Sequence, residues 1–418
     1  MNKPDRSLDR RTFLQTATGG LAAFAISPLI DPLAAAPLSR AMNVAVIGIG
    51  RQGRAIMSEL QKIGSDVTIA AICDTDDSRL QAGLRRAPGA EGFADHRALL
   101  DAKKEVSAVF ISTPTHLHKQ IALDALSAGR HVYCECPLAH TIEDCAEIVR
   151  AARSAGGAIF QTGAQGRANP VYRLAWSFAR SRSIGDSYVM VRAQNFQKNS
   201  WRTPANDPAR EKALNWRLDP EVSIGLLGEN GAQQFDVVHY YVDKYPVKVR
   251  GGGSIKLWDD GRETYDTAWC DLVFDDGLIF QYQTSLANSY EDVFEQFHGS
   301  LGTIKLTWSH GWLFKEADAP TQGWEVYANR QQFHNEEGIT LIADATKLAA
   351  QGKLKEGVGL PNDPLYYALE SFLRSVDEGS PPVCSADEGM RATVVGILAH
   401  QAAVKSEEIA IDPAILNV

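Results

Sequence analysis

The stretch Gly48-Ile49-Gly50-Arg51-Gln52-Gly53 carries the most specific chemistry in this chain. A glycine at position 48 permits a tight turn, Gly50 lets backbone approach a pyrophosphate, and Gly53 lets a following helix pack on the preceding strand. The start of that helix, with Arg51 and Gln52, offers amide donors to an anion. Asp74 follows 21 residues after Gly53, at the end of the apolar run VTIAAIC. A carboxylate there accepts from both ribose hydroxyls of a dinucleotide. Because an acid repels a 2′-phosphate, the reading is NAD, with NADP as the alternative through Arg79.

These residues need a strand before the loop and a helix after it. NVAVIGIG is a β-branched run ending in glycines, and RQGRAIMSELQKI has helical periodicity. The alternation continues through helix-like DSRLQAGLRRA, strand AVFISTP, helix HKQIALDALSAG, strand HVYCECP and helix TIEDCAEIVRAARSAG. Strands separated by helices predict a parallel, doubly wound sheet, an α/β domain. Thr113-Pro114 lies at a strand's carboxyl end, the face where such sheets bind ligands. The second half reads differently. SYVMVRAQNF, VKVRGGGSIKLW, TAWCDLVFDD, LIFQYQTSLA, EDVFEQFHGS and TIKLTWS are β-rich runs joined by short turns, two of them Asp-Asp-Gly. This predicts an antiparallel meander in an α+β domain. Two late helical stretches, DPLYYALESFLRSVDEG and ADEGMRATVVGILAHQAAVKS, should pack back on the nucleotide domain.

A length of 418 residues exceeds what one compact core accommodates, which gives two domains. A net charge of −9 argues against nucleic acid or an anionic membrane surface and leaves a small polar ligand. Arg10 and Arg11, with Thr12-Phe13-Leu14 and a weakly apolar stretch after them, make a twin-arginine export signal over 1–36. No later stretch reaches the ~20 apolar residues of a membrane span. The six cysteines show neither a disulfide framework nor metal-ligand spacing.

With these pieces in order the chain resembles the Gfo/Idh/MocA family of sugar and cyclitol oxidoreductases. The matching residues are GIGRQG, Asp74, TPTHLH (113–118), GRHVYCECPLA (129–139) in place of the family's G-K-H-V-x-x-E-K-P-x-A, and GLLGENGAQQFD (225–236). Weaker support comes from QTGAQGRANPVYR and GSLGTIKL. The resemblance implies a Rossmann domain followed by a domain with one large, mostly antiparallel sheet whose open face mediates homo-oligomers. It also implies that Thr113, Pro114, His118 and Glu135 join the glycine loop and Asp74 at the cofactor.

In that family a lysine lies near the nicotinamide, and a helix with Asp-x-x-x-His supplies the base. Here the lysine position is Cys136, the Asp position Glu229 and the His position Gln233, while a further acid is kept as Asp236. Positions 229, 233 and 236 share one helix face. Gln233 does not ionise, and Cys136 helps only as a thiolate. Glu229 is therefore the expected base, with Cys136 and Gln233 beside it. Asp236, Arg167, Tyr172, Asn195, Trp201 and Arg202 are the expected substrate contacts or their supports, because aromatic rings stack on sugars and Arg or Asn bonds hydroxyls.

The expectation is an exported NAD(P)-dependent oxidoreductase of a sugar or polyol, with a tightly bound cofactor recycled in place. The alternatives are an NAD-dependent glycoside-cleaving cycle and a cofactor-bearing binding protein without turnover. The boundaries read as signal 1–36, nucleotide domain 42–160, substrate and oligomerisation domain 161–400, and tail 401–418.

Overall fold

The computed structural model describes residues 38–343, 345, 348 and 351–418, so the twin-arginine segment lies outside the described residues. Six strands, β1 (Met42–Ile47), β2 (Val67–Cys73), β3 (Glu91–Phe93), β4 (Ala108–Ile111), β5 (His131–Glu135) and β6 (Phe160–Gly163), form one sheet in the order β3-β2-β1-β4-β5-β6. Every neighbouring pair is parallel. All four residues of β4 are buried, as the central strand of a sheet covered on both faces requires. The covering helices that follow these strands are α1 (Arg51–Ile63), α2 (Asp77–Arg86), α3 (His96–Ala102), α4 (His118–Ser127) and α5 (Ile142–Ser154). Asp76, Asp95 and Thr141 cap α2, α3 and α5 through their side chains. Helix α1 starts on Gly50 with no side-chain cap, which leaves its first amides free at the β1/β4 crevice where strand order reverses.

The rest of the chain adds α6 (Pro170–Arg180), α7 (Pro208–Leu214), α8 (Gly225–Val242), α9 (Pro364–Glu378) and α10 (Ala386–Lys405). It also forms a ten-stranded sheet from β7 (Tyr188–Phe196), β8 (Lys248–Ser254), β9 (Thr267–Val273), β10 (Ile279–Ser285), β11 (Val293–Gly299), β12 (Gly302–Leu306), β13 (Gly311–Lys315), β14 (Arg330–Gln332), β15 (Glu337–Thr340) and β16 (Ile409–Ala410). Its pairs are antiparallel except β7 with β10. Strand β10 alternates cleanly, with Phe280, Tyr282 and Thr284 buried and Ile279, Gln281 and Gln283 exposed. Helix α8 covers the buried face, where Phe235 packs on Phe280 and Tyr282 with ring centroids 5.9 and 5.2 Å apart.

The two late helices do fold back. Phe372 of α9 meets Phe110 of β4 edge-on at 5.4 Å. Helix α10 lies against α8 through Gly396, where a Cβ would sit 3.1 Å from the Gly228 Cα, and Thr393 accepts from the Leu138 amide at 2.8 Å. Three expectations need correction. The sixth parallel strand carries the nucleotide domain past residue 160 to Gly163. Residues 401–418 are no separate tail, because α10 runs to Lys405 and β16 pairs with β8. The strand expected over VKVRGGGSIKLW ends at Ser254, because the Asp266 carboxylate captures the amides of Lys256, Leu257 and Trp258 and turns the chain away.

Candidate active site

The glycine loop divides its labour as the spacing requires. Gly48 has φ 91°, and a Cβ on it would lie 2.8 Å from the backbone of Ser112 and Thr113. A Cβ on Gly53 would lie 1.8 Å from the Gly48 carbonyl oxygen. At Gly50 a Cβ would meet only an Arg79 guanidinium nitrogen, at 3.8 Å, so the space at the uncapped start of α1 is open. Free amides, a helix N-terminus and room that one methyl group would fill suit a pyrophosphate. Asp74 fits the ribose beside it. Its two oxygens accept from the amides of Ile49 (2.7 Å) and Asp76 (2.8 Å), and each keeps a lone pair for a hydroxyl. Beyond β4, the Thr113 hydroxyl is buried without a partner, next to Pro114. The residues present thus fit a bound dinucleotide.

Across the cleft, β5 ends in Glu135, Cys136 and Pro137, with a cis bond between the last two. Gln52 of α1 donates to the Glu135 carboxylate at 3.0 Å, while burial pushes that carboxyl up to about 7. The Cys136 thiol is half-buried, and burial together with the charges of Asp236 and Glu135 raises it well above the ordinary range for a thiol. It stays protonated, so the condition under which Cys136 would act, as a thiolate, is not met. The expectation for His118 is corrected. It is buried, with Nε2 2.9 Å from the Thr113 carbonyl oxygen and Nδ1 3.1 Å from that of Pro137; burial lowers it to about 4, so the neutral ring donates to one of them and both nitrogens are turned to main chain instead of a cofactor.

Helix α8 presents Glu229, Gln233 and Asp236 to this junction, but the three do different things. Gln233 donates to the Gly163 carbonyl at 2.8 Å and accepts from the Gln165 amide at 3.1 Å, so both ends of its amide are used to clamp α8 to the end of β6. It is a staple and not a proton carrier. Asp236 accepts from Arg167 Nε with both oxygens, at 3.0 and 2.9 Å, and Arg167 also pairs with Glu388. Arg167 and Asp236 therefore neutralise one another inside the junction, Asp236 acting as a support, while Arg167 Nη2 is buried without a partner.

Glu229 alone keeps a free acceptor. Its Oε2 accepts from the Thr115 hydroxyl at 3.2 Å and lies 3.6 Å from Arg217 Nε. Its Oε1 is buried with no partner. Burial pushes the carboxyl up to about 7 against the lowering by Arg217 and Thr115. A carboxyl poised near neutrality, anchored through one oxygen and bare at the other, is built to exchange a proton.

Residues 197–224 supply the near wall. Trp201 takes the left-handed conformation, φ 59°, and its indole centroid lies 5.6 Å from the Arg217 guanidinium, which stacks more closely on Trp216 at 4.3 Å. His116 meets Trp216 at 5.9 Å and has an unpartnered, buried Nδ1. Arg202, expected at the substrate, is instead bound to Asp260 at 2.9 Å and Glu211 at 3.4 Å, where it fixes the loop. Tyr172 is fully buried and donates to Glu295, so it belongs to the core of the second domain and cannot touch a ligand in the cleft. Asn195 is half-buried on β7 with a buried Oδ1 that lacks a partner, beside Thr284, to which Asn230 of α8 donates at 3.2 Å. Sequence reasoning missed Thr115, Trp216 and Arg217. The Trp216-Arg217 pair, eight residues ahead of the glycine-rich start of α8, was the available signal.

Among the described residues no helix is long and apolar enough to cross a membrane. A family model described as "Oxidoreductase family, NAD-binding Rossmann fold" matches residues 42–163, and one described as "Oxidoreductase family, C-terminal alpha/beta domain" matches residues 189–411. An inositol 2-dehydrogenase 2 of Saccharopolyspora erythraea is 35% identical over 266 residues, 63% of this chain and 73% of that protein. An inositol 2-dehydrogenase of Arthrobacter sp. (strain FB24) is 27% identical over 275 residues, 63% of this chain and 76% of its own. A solved levoglucosan dehydrogenase in complex with NADH and L-sorbose superposes with a TM-score of 0.71, covering 89% of this chain and 99% of the other at 18% identity, a likeness of fold.

Proposed function

The chain belongs to the Gfo/Idh/MocA family of NAD-binding oxidoreductases, and from that premise we propose that it interconverts a carbohydrate or polyol hydroxyl and the corresponding carbonyl with Glu229 as general base. The observation that carries this reading is the unpartnered, buried Glu229 Oε1 beside an oxygen held by Thr115 and Arg217. The names of the related proteins, dehydrogenases of inositol and of levoglucosan, support the substrate class.

NAD, when bound, supplies the hydride acceptor. The chain does the rest. The α1 amides and Asp74 hold the dinucleotide across the β1/β4 crevice. Glu229 Oε1 takes the hydroxyl proton, so the alcohol is deprotonated as its carbon loses hydride. Trp201 and Trp216 give the cleft flat apolar faces for a sugar ring. Cys136 is a neutral neighbour, and Gln233 holds the helix that aims Glu229.

Export in a folded state with cofactor aboard, followed by recycling of that cofactor between two substrates, completes the proposal. Its supports are the Arg10-Arg11 signal and the contact of Arg210 with Asp76, which closes residues 197–224 over the ribose side of the cleft at 2.6 Å. A homo-oligomer through the open sheet face is proposed from Trp269 and Ile279, exposed there at 44% and 41%.

The test is the nicotinamide absorbance of purified protein with NAD as inositols, aldoses, anhydrosugars and their keto forms are added. A protein that binds NAD yet shows no change with any of them overturns the oxidoreductase reading. Arg10,Arg11→Lys should hold the protein in the cytosolic fraction, and periplasmic recovery of that variant overturns the export proposal.

A further inference from the structure

We infer that Arg217 is the positioning residue of proton transfer, the cation that acts on the Glu229 carboxylate from the near wall of the cleft. This rests on the reading of Glu229 as the base. Arg217 sits in the 3-10 turn Trp216–Leu218, on a different element and domain from Cys136 at the end of β5.

Four observations converge on it. Among the described residues Arg217 is the one cation within ion-pair reach of Glu229, and Glu229 is the one carboxylate within reach of Arg217. Its guanidinium lies over the rings of Trp216 at 4.3 Å and Trp201 at 5.6 Å, so it is held in place without a second ion pair. Its terminal amino groups make no hydrogen bond to the described residues, and its side chain is 46% exposed where that of Glu229 is 1% exposed. The carboxylate is thus shielded from bulk solvent while the cation reaches it. Finally, the other acid of α8, Asp236, is already neutralised by Arg167. Each of these two acids of α8 is therefore matched by its own arginine, Asp236 by Arg167 and Glu229 by Arg217.

The charges around Glu229 support a role in setting its ionisation. The groups acting on its carboxyl are Thr115 from the loop after β4, the Ile224 main chain at the start of α8, and Arg217 from the 3-10 turn. Arg51, the first residue of α1, faces Arg217 as a like charge. Glu135 and Cys136 at the end of β5 act on one another, with Asp236 behind them. His116 answers to His140 and Asp219. Burial drives Glu229 towards its neutral form, and Arg217 is the leading opposing influence. Removing that cation should leave a base that is protonated at neutral pH.

The experiment compares wild type with Arg217→Met, Arg217→Gln and Arg217→Lys in two measurements. The first is the pH-difference infrared titration of the protonated carboxyl band in ligand-free protein, with Glu229→Gln as the blank. Both neutral variants should raise the Glu229 midpoint by about one pH unit or more, and Arg217→Lys should restore it. The second is the pH profile of kcat/KM, whose acid limb should move with the infrared midpoint. The Gln variant keeps the test decisive if Met disturbs the indole pair. An unmoved infrared midpoint overturns the proposal. A midpoint that moves while the kinetic limb stays in place overturns instead the assignment of Glu229 as base.

Discussion

Arg210 Nε lies 2.6 Å from Asp76 Oδ2, which ties a helix of the second domain to the residue that caps α2 beside the ribose site. Both partners reach solvent, with side chains 45% and 13% exposed, so the contact acts as a screened latch. Arg210→Ala should raise the NAD dissociation rate by roughly two- to fivefold, with the affinity for sugar little changed. Stopped-flow displacement of the cofactor measures this, and added salt should speed the wild type towards the variant. A variant that releases NAD at the wild-type rate removes the latch from the account of cofactor retention.

The glycine loop yields a prediction of opposite failures. Gly50→Val places its side chain in the open space at the start of α1, so it should weaken NAD binding at least about tenfold while leaving the melting temperature within a few degrees. Gly53→Ala drives a methyl into the Gly48 carbonyl and should lower the melting temperature or abolish folding. Calorimetric titration with NAD and thermal melts separate the two. Equal loss of stability in both would mean that the space at Gly50 is not a ligand site.

Glu229→Gln retains the volume of the side chain and its bond to Thr115 but cannot accept a proton. Turnover should fall by roughly 10²–10⁴-fold, the scale of general-base catalysis, while NAD affinity stays within a factor of about two. The wild-type profile has a defined sign. Glu229 must be ionised to act, its carboxyl sits at about 7, and so kcat/KM in the oxidative direction should fall about tenfold per pH unit below that value and level off above it. A flat profile from pH 5 to 8 would place the base elsewhere.

Cys136→Ser should keep turnover within about threefold, because a thiol held protonated by burial and by Asp236 and Glu135 contributes no charge to lose. For the same reason iodoacetamide should label Cys136 far more slowly at pH 8 than it labels a free small thiol. Rapid labelling, read by peptide mass spectrometry, would show that the thiolate forms and return Cys136 to the list of acting groups.

Glu295 is wholly buried, accepts from Tyr172, and is raised from 4.5 to about 7 by burial. A carboxyl raised in the fold contributes stability that is present below its unfolded value and lost as pH rises through the folded one. Glu295→Gln should therefore gain stability relative to wild type between pH 5 and 8, by about 3 kcal/mol at full effect. Differential melts of the two proteins at matched pH check the sign. A gap that widens against the variant as pH rises contradicts it.

How much was readable in the chain differs from residue to residue. The glycine loop and Asp74 were legible because their chemistry depends on contiguous backbone, in which strand, turn and helix follow within one βα unit. The parallel sheet followed from alternation, and the antiparallel sheet from period-two runs such as Ile279–Ser285. Glu229 was legible through the family resemblance, which puts it at the Asp position of a shared helix face. Two tertiary facts were not. Gln233 and Asp236 share that face, yet Gly163 and Gln165 claim one and Arg167 the other, because α8 is pressed against the end of β6. Tyr172 and Arg202 have the right types for a sugar site, but Glu295 and Asp260 hold them away from it.

The sequence by itself determined the fold class and the dinucleotide loop, since each is a property of local spacing and residue type, while the family resemblance implied a lysine where Cys136 stands. Only the tertiary structure decided which polar side chains stay free in the cleft, because a hydrogen bond or ion pair uses up a group through partners far away in the chain. Arg217 is twelve residues from Glu229 in sequence, where helical or strand periodicity relates nothing to it. The closure of residues 197–224 over the cleft brings its guanidinium to Glu229, whose second oxygen remains bare.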